Sequence, residues 1–257
     1  VGGNAGSAMG PLLAALIVIP FGQVSIGWFA LAALLAIFIL VKIGHWYRRQ
    51  LAAAARKSAV AAVTAAHGLS KRKIRTAFVI LGVLVFSKYF YIASMTNYFT
   101  FFLMDKFAVS VQGAQYCLFA FLAASAAGTF IGGPLGDRIG RKYVIWGSIL
   151  GAAPFTLMLP YVGLVWTIAL AVVIGLVISS AFSAILVYAT DLMPGKVGMI
   201  AGVFFGLMFG LGGLGSAFFG WLADRTSIEF IFQISTLLPL LGVITGFLPD
   251  VESRKVR

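Results

Sequence analysis

Residues 143–190 read YVIWGSILGAAPFTLMLPYVGLVWTIALAVVIGLVISSAFSAILVYAT and contain no Asp, Glu, Lys or Arg. A helix crosses the hydrocarbon core of a bilayer with about 20 apolar residues, so this run is long enough to cross it twice. Pro160 and Gly163 lie near its middle, where they favour a break between two helices. The run therefore excludes a soluble globular protein and predicts a membrane protein with several spans.

Other long runs in the chain are equally free of charge. They cover residues 1–41, 107–136, 197–223 and 230–249, and the run 76–104 is interrupted only by Lys88. The run 1–41 is also long enough to fold back once, near Pro20 and Gly22. The predicted spanning helices lie near residues 1–21, 24–45, 76–103, 113–136, 143–160, 164–189, 198–222 and 228–248.

Composition supports the same fold class. The chain is 61% hydrophobic and 10% charged, with a mean hydropathy of +1.04, whereas globular proteins contain roughly 25% charged residues. The spans must be helices because lipid offers no partner to an unpaired backbone group. The apolar runs do not alternate as the strands of a membrane barrel do. We therefore predict an all-α membrane protein with eight transmembrane helices.

The net charge of +12 is distributed by membrane side. Nine basic residues and no acidic ones lie in 42–75, and threading eight helices brings seven further basic residues to the same side. Only Lys106 and Arg225 fall on the other side. By the positive-inside rule, this asymmetry predicts that the loop 46–75 and the C-terminus are cytoplasmic. It also argues against a nucleic-acid-binding role, because no basic domain interleaved with aromatic residues is present.

Residues 133–142, GPLGDRIGRK, form the most distinctive local motif. Its glycines allow a tight turn between two spans, and its basic residues suit the inner face of a membrane. Asp137 is expected to cap the next helix or to pair with Arg138 or Arg141. An ordinary charged loop that satisfies the positive-inside rule is the alternative interpretation.

This motif resembles the signature loop of the major facilitator superfamily, Gly-x-Leu-x-Asp-Arg-x-Gly-Arg-Lys. The matching residues are Gly133, Leu135, Asp137, Arg138, Gly140, Arg141 and Lys142. The resemblance implies a partial major facilitator fold, the last eight of an expected twelve helices, with the first four helices missing from the chain. Residues 1–45 would be the last two helices of the N-terminal half, 46–75 a basic cytoplasmic linker, and 76–257 the six-helix C-terminal half.

A second motif lies in the first predicted helix. Gly6, Gly10 and Pro11 are similar to the antiporter motif of proton-coupled exporters in this superfamily, although a helix kinked by proline is the alternative interpretation. The stretches 7–13, 188–199, 204–213 and 220–224 resemble the fosmidomycin-resistance exporters within it. The resemblance implies drug export driven by protons at the inner membrane of a bacterium, with a small molecule and protons as partners.

Small residues recur every four positions in two predicted helices. The fourth helix carries Ala120, Ala124, Gly128, Gly132 and Gly136, and the seventh carries Gly198, Gly202, Gly206 and Gly210. Such ridges let helices approach closely in lipid. They indicate either static packing or, as the resemblance implies, a contact at which one half of a transporter moves against the other.

The third predicted helix carries the best candidate for a substrate pathway. Tyr91, Ser94 and Tyr98 share one face with Ser87, and Lys88 lies at its edge near the middle of the bilayer. A lysine at that depth is costly and usually faces a cavity or a partner. On the sixth helix, Ser179 and Ser183 form a weaker polar face. The resemblance implies that both helices line the central pathway.

The sequence carries no motif of catalysis, of metal binding or of cofactor binding. Residues 210–215 fit the dinucleotide pattern Gly-x-Gly-x-x-Gly, but they lie inside an apolar run with no strand before them. We therefore predict no catalytic residue, no metal and no cofactor. A facilitator or uptake carrier for a sugar or organic anion, and a membrane scaffold without transport activity, are the two alternatives to drug export.

Overall fold

The computed structural model describes residues 2–55, 70–193 and 195–249, and every regular element within these ranges is a helix. Eight helical segments in them are long and apolar enough to cross a membrane, which confirms the predicted fold class. We number them in chain order. They are α1 Gly2–Phe21, α2 Gln23–Arg48, α3 Arg72–Phe107, α4 Val111–Ile139, α5 Arg141–Tyr161, α6 Leu164–Leu192, α7 Val197–Ala223 and α8 Ile228–Phe247.

Both predicted reversals lie where Pro and Gly punctuate the sequence. Gly22 separates α1 from α2 with a φ of 81°, a left-handed conformation that glycine adopts at little cost. The α-helical part of α5 ends at Met158, and a short 3₁₀ turn, Leu159–Tyr161, leads to Gly163 before α6. The apolar runs 1–41 and 143–190 therefore each contain two spans.

Several helices extend beyond their hydrophobic runs. The helix of α3 begins one turn earlier than predicted because the Ser70 hydroxyl accepts a hydrogen bond from the Lys73 amide. Residues 46–55, predicted as the start of the linker, continue the α2 helix. The rest of the predicted linker up to 69, and the C-terminus from 250, lie outside the described residues.

The helices α4 and α6 touch backbone to backbone. A Cβ atom built on Gly128 would lie 2.0 Å from the Leu176 carbonyl oxygen, and one on Gly132 would lie 2.1 Å from that of Ser180. From the other side, a Cβ on Gly175 would lie 2.6 Å from the Phe121 carbonyl oxygen. Only glycine permits this approach, so one predicted ridge of small residues forms a close helix–helix contact.

The interior of the bundle is divided into two buried apolar clusters. One contains Leu81 and Leu84 of α3 and lies toward the Gly140 turn, and the other contains Met95 and Phe99 and lies toward the opposite end. Lys88 falls between the two clusters along α3, near the middle of the span Arg72–Phe107. The structure thus brings a charged side chain to mid-depth at a point where the apolar core is interrupted.

The helix α1 packs along α4 and is held there by two hydrogen bonds. The Asn4 amide donates to the Thr129 hydroxyl at 2.8 Å, and the Gln112 amide donates to the Ala15 carbonyl at 2.9 Å. Ala15 belongs to a π-helical turn, Ala14–Val18, that follows Pro11. Such a turn exposes carbonyls that the regular helix would use, so Gln112 meets an available acceptor.

Candidate functional site

A cavity of about 500 Å³ lies among five helices at the depth of Lys88. Its walls come from α1, α3, α4, α6 and α7, and they combine aromatic and aliphatic side chains with polar ones. The polar residues on its walls, besides Lys88, are Asn4, Ser7, Thr96, Asn97, Ser125, Thr129, Ser179 and Ser216. A mainly apolar cavity with a few convergent polar groups is the usual form of a small-molecule site.

Lys88 is the one basic side chain among the described residues that line this cavity, which include no acidic one. Its residue is only 1% exposed, and the Nζ atom lies 5.6 Å from the centre of the Tyr89 ring and 5.8 Å from that of Phe182. In the parts of the chain that the structure describes, no carboxylate pairs with Lys88 and no acceptor takes a hydrogen bond from it. The two rings stabilise a cation only modestly. The site can therefore accept an anion.

Several polar side chains on the cavity walls are hydrogen-bonded to one another or to main-chain carbonyls. Thr129 accepts from Asn4 and donates to the Ser125 carbonyl at 3.0 Å, with the Ser179 carbonyl at 3.4 Å. On the α3 wall, the Asn97 amide donates to the Ala93 carbonyl at 2.9 Å. The Asn4 and Asn97 amides each retain further donors and acceptors, so they can hydrogen-bond a ligand without losing these contacts.

The structure brings together two of the predicted pathway residues, Lys88 and Ser179. The other three on α3 are not among the residues that line the cavity. Tyr91 is fully buried, Ser94 donates to the Tyr91 carbonyl at 2.8 Å, and Tyr98 donates to the Ser216 carbonyl at 2.7 Å. Their part in transport stays a prediction.

Ser183 of α6 also lies outside the cavity. Its hydroxyl is buried and has no hydrogen-bond partner among the described residues. It lies 3.8 Å from the position a Cβ on Gly133 would take, so it faces the α4–α6 contact. Its predicted place on the pathway stays untested by this geometry.

Apart from Lys88, the residues of α3 that line the cavity were not predicted from the sequence. The cavity face of α3 comprises Lys88, Ile92, Thr96 and Asn97, with Tyr89 and Ala93 beside them. The signal was available, because Ile92 and Thr96 follow Lys88 at spacings of four and eight residues, which is one helical face. Asn4 and Ser7, in contrast, reach the site from α1 through tertiary packing that helical spacing does not reveal.

At the predicted conformational motif, Arg141 joins the ends of three helices. Its guanidinium donates to the Asp191 carboxylate at the end of α6 and lies 3.4 Å from the Asp137 carboxylate at the end of α4. The Arg141 side chain is 18% exposed, whereas that of Asp137 is 71% exposed. Of the two partners predicted for Asp137, the structure has Arg141, and Asp191 is a further acid that the sequence did not connect with the motif.

The rest of the motif forms the turn and its anchor. Gly140 has a φ of 96°, a conformation that L side chains rarely adopt, and it lets α5 begin directly after α4. Lys142 donates to the Gly246 carbonyl at 3.3 Å and to that of Leu248 at 2.5 Å. Arg138 is exposed at the end of α4. The motif thus also ties α5 to the end of α8.

The antiporter-like motif lies on α1. Pro11 is inside the helix, immediately before the π-helical turn. A methyl group added to either of the two glycines, Gly6 and Gly10, would meet no described atom within 4 Å. The irregular turn is consistent with a helix bent by proline. Among the described residues no group of three or more His, Cys, Asp or Glu side chains is placed to hold a metal ion.

Comparison with known proteins decides the family. A sequence profile of the Major Facilitator Superfamily matches residues 89–257. The chain belongs to the Major Facilitator Superfamily. As a member of this superfamily with eight apolar helices of spanning length, it is an integral membrane protein.

Two relatives within the superfamily align with 97% of this chain. The fosmidomycin resistance protein of Escherichia coli (strain K12) is 58% identical over 250 residues. An uncharacterized MFS-type transporter of Bacillus subtilis (strain 168), YfnC, is 41% identical over 250 residues. The chain spans 61% of the length of each. The resemblance stated from the motifs is therefore confirmed at the level of the family.

Proposed function

We propose that the chain forms part of a transporter that exports small anionic compounds, with Lys88 as the contact to the anion. The observation that carries the proposal is a buried lysine that lines a cavity of about 500 Å³ at mid-depth and has no acidic partner among the described residues. The name of the Escherichia coli relative supports a drug of the fosmidomycin type as the substrate. Fosmidomycin is a phosphonate and would supply the negative charge.

The energetics favour an anionic ligand at this position. A lysine at the centre of a spanning helix costs about 3 kcal/mol on insertion scales, and more when it cannot reach the interface. The Lys88 side chain lies between two apolar clusters, so its charge is not relieved by the headgroups. An anion that enters the cavity replaces that unfavourable state with a charge-assisted hydrogen bond. Lys88 should therefore contribute a large share of the free energy of binding of an anionic ligand.

The other parts of the fold have roles in the same proposal. The motif residues Gly133, Asp137, Arg138, Gly140, Arg141 and Lys142 would bias one conformational state of an alternating-access cycle. The bent α1 helix, with Gly6, Gly10 and Pro11, would take part in coupling to protons. No Asp or Glu lies in the middle of the eight spans, so the residue that carries the proton would belong to helices additional to these eight. The greater length of the relatives is compatible with such helices.

Orientation belongs to the proposal as well. The loop 46–75 and the C-terminus would face the cytoplasm, at the inner membrane of a bacterium. The support is the excess of basic residues on that side of the eight spans. The turn at Gly140 would then lie at the cytoplasmic surface, and the Lys106–Glu229 ion pair, 2.8 Å between its atoms, at the outer one.

The test is direct binding of fosmidomycin to the full-length product of the gene and to Lys88→Met and Lys88→Arg variants, together with drug resistance in cells. Loss of a buried charge partner costs 2 kcal/mol or more, so Lys88→Met is expected to weaken binding by at least about 30-fold. Lys88→Arg keeps the charge and should lose less. Lys73→Met, an exposed lysine on the same helix, is the matched control. Unchanged binding in Lys88→Met would end the substrate-contact proposal.

The alternatives are separated by two further measurements. In proteoliposomes with an imposed proton gradient, an antiporter dissipates the gradient when drug is added, whereas a facilitator for a sugar or organic anion does not. A scaffold without transport activity would show no saturable binding of either kind of compound. It is the less favoured alternative, because it gives Lys88 no reason to face a cavity inside the membrane.

A further inference from the structure

A second concave site lies on the outer surface of the bundle, away from the Lys88 cavity. It is a groove of about 220 Å³ formed by α4, α5 and α6. One wall is the stripe Ile131, Leu135 and Ile139 of α4, and the opposite wall is the first part of α5, from Tyr143 to Ser148. Three of these side chains, Ile131, Ile139 and Tyr143, are 48–61% exposed. The groove is therefore apolar and open to the surroundings of the protein.

The floor of the groove is formed where α4 and α6 are in close contact. Gly128 allows the two helices to touch at Leu176, so no side chain rises between them. On the α5 wall, Gly147 contributes no side chain, and a Cβ added there would meet no described atom within 4 Å. Because these two glycines have no side chains, an open groove remains between α4 and α5 where larger side chains would fill the space.

The polar atoms in the floor do not make it hydrophilic. The Ser148 and Ser180 hydroxyls hydrogen-bond to each other, and Ser180 also donates to the Val177 carbonyl at 2.7 Å. Because both hydroxyls are hydrogen-bonded within the floor, neither is left without a partner when water is excluded. A hydrocarbon chain can thus lie over them without leaving a buried polar group unpaired.

The groove runs from mid-membrane to the membrane surface. From Gly128 to Ile139 it follows twelve residues of α4, and the rise between the first and the last is roughly 16 Å. At its surface end lie the Gly140 turn and the exposed Tyr143, and tyrosine is enriched at the membrane–water interface. The other end of the groove lies at Gly128 and Leu176, near the middle of α4 and α6. The dimensions match one leaflet.

Arg138 supplies a charge at the surface end. It lies one residue before Ile139 and one helical turn after Leu135, and its side chain is exposed. Among the residues that the structure describes, no carboxylate lies within ion-pairing distance of it, since Asp137 is close to Arg141 instead. An arginine fork at this depth suits the phosphate of a lipid headgroup.

We propose that this groove is a specific site for an anionic phospholipid, with one acyl chain between α4 and α5 and the phosphate at Arg138. The bilayer supplies the occupant at high concentration, and the charge of Arg138 selects an anionic headgroup over a zwitterionic one. The site is separate from the substrate cavity: it shares no lining residue with it and does not depend on the proposed transport function.

The test uses native mass spectrometry of the full-length protein in mild detergent, titrated with palmitoyl-oleoyl phosphatidylglycerol or with the phosphatidylcholine of the same chains. The wild-type protein is expected to retain one phosphatidylglycerol with a preference of about fivefold over phosphatidylcholine. Gly147→Leu fills the groove and should reduce retention of both lipids. Arg138→Gln should keep the acyl contact and lose the preference between the two headgroups.

Two controls match these variants. Gly151→Leu lies one turn further along α5, outside the groove, and its Cβ also meets no described atom within 4 Å. Arg225→Gln removes an exposed arginine at the opposite membrane surface, where it stacks on Trp221. Both should bind lipid as the wild-type protein does. Retention of phosphatidylglycerol by Gly147→Leu at the wild-type level, or an unchanged headgroup preference in Arg138→Gln, would overturn the proposal.

Discussion

The contact between α4 and α6 makes a sharp prediction about stability. At Gly128 an added methyl group would lie 2.0 Å from the Leu176 carbonyl oxygen, where ordinary contacts begin at 3.4 Å. The obstacle is backbone, so no side-chain rotation can relieve it. Gly128→Ala must therefore push the two helices apart by roughly 1 Å or more, over a contact that also includes Gly132 and Gly175.

The cost can be worked out from the packing. A gap of 0.5–1 Å forfeits a quarter to a half of the dispersion energy of each affected contact, and overpacking in well-packed cores costs about 1–3 kcal/mol. We take the upper end, about 3 kcal/mol, because both partners are main chain. Replacing glycine by alanine inside a helix returns about 1 kcal/mol of propensity. The free energy of unfolding should thus fall by about 2 kcal/mol.

The assay is the free energy of unfolding by steric trapping in bicelles, with loss of helicity as an independent readout. Gly151→Ala on α5 is the control, since its new methyl group meets no described atom within 4 Å, and it should be neutral or slightly stabilising. Gly128→Ala and Gly132→Ala should be less than additive, because one separation of the helices accommodates both methyl groups. A Gly128→Ala protein within about 0.5 kcal/mol of wild type would refute the backbone contact.

Two other predictions concern the ends of the helices. Asp137→Asn should insert normally and lose less than about 1 kcal/mol of stability, since its pair with Arg141 is exposed. Under the proposed function it should nevertheless slow drug efflux by the full-length protein, and an efflux rate equal to wild type would reduce the motif to a topological loop. In a Cys117→Ala background, a cysteine at Ser70 should react with impermeant thiol reagent only from the cytoplasm and one at Ala108 only from outside. Labelling of the Ser70 cysteine from outside would contradict the proposed orientation.

The membrane spans could be predicted from sequence because one physical rule dominates them. Lipid excludes charges and unpaired backbone groups, so the positions of charged residues and of Pro and Gly mark the helices closely. The ends were less accurate where local hydrogen bonds decide them. Ser70, for example, caps α3 one turn before the apolar run begins.

The cavity was predicted only in part, because its composition depends on which helices meet. Lys88 stood out since a charge in an apolar run is costly, and it does line the cavity. Tyr91 and Tyr98 were grouped near it because they share a helical face with Ser87, but Tyr91 is buried in the apolar core and Tyr98 donates to the Ser216 carbonyl. Asn4 could not be connected with Thr129 from sequence, since 125 positions separate them and no local pattern links them.

The two ridges of small residues show most clearly what a pattern leaves undetermined. On α4, Gly128 and Gly132 of the ridge lie against main-chain atoms of α6. On α7, Gly198, Gly202, Gly206 and Gly210 have no described atom within 4 Å of an added methyl group. The same four-residue spacing thus marks a contact already made on one helix and an available surface on the other. Close backbone contact is therefore a property of the pair α4 and α6, and spacing alone cannot tell which neighbouring helix a ridge of small residues will meet.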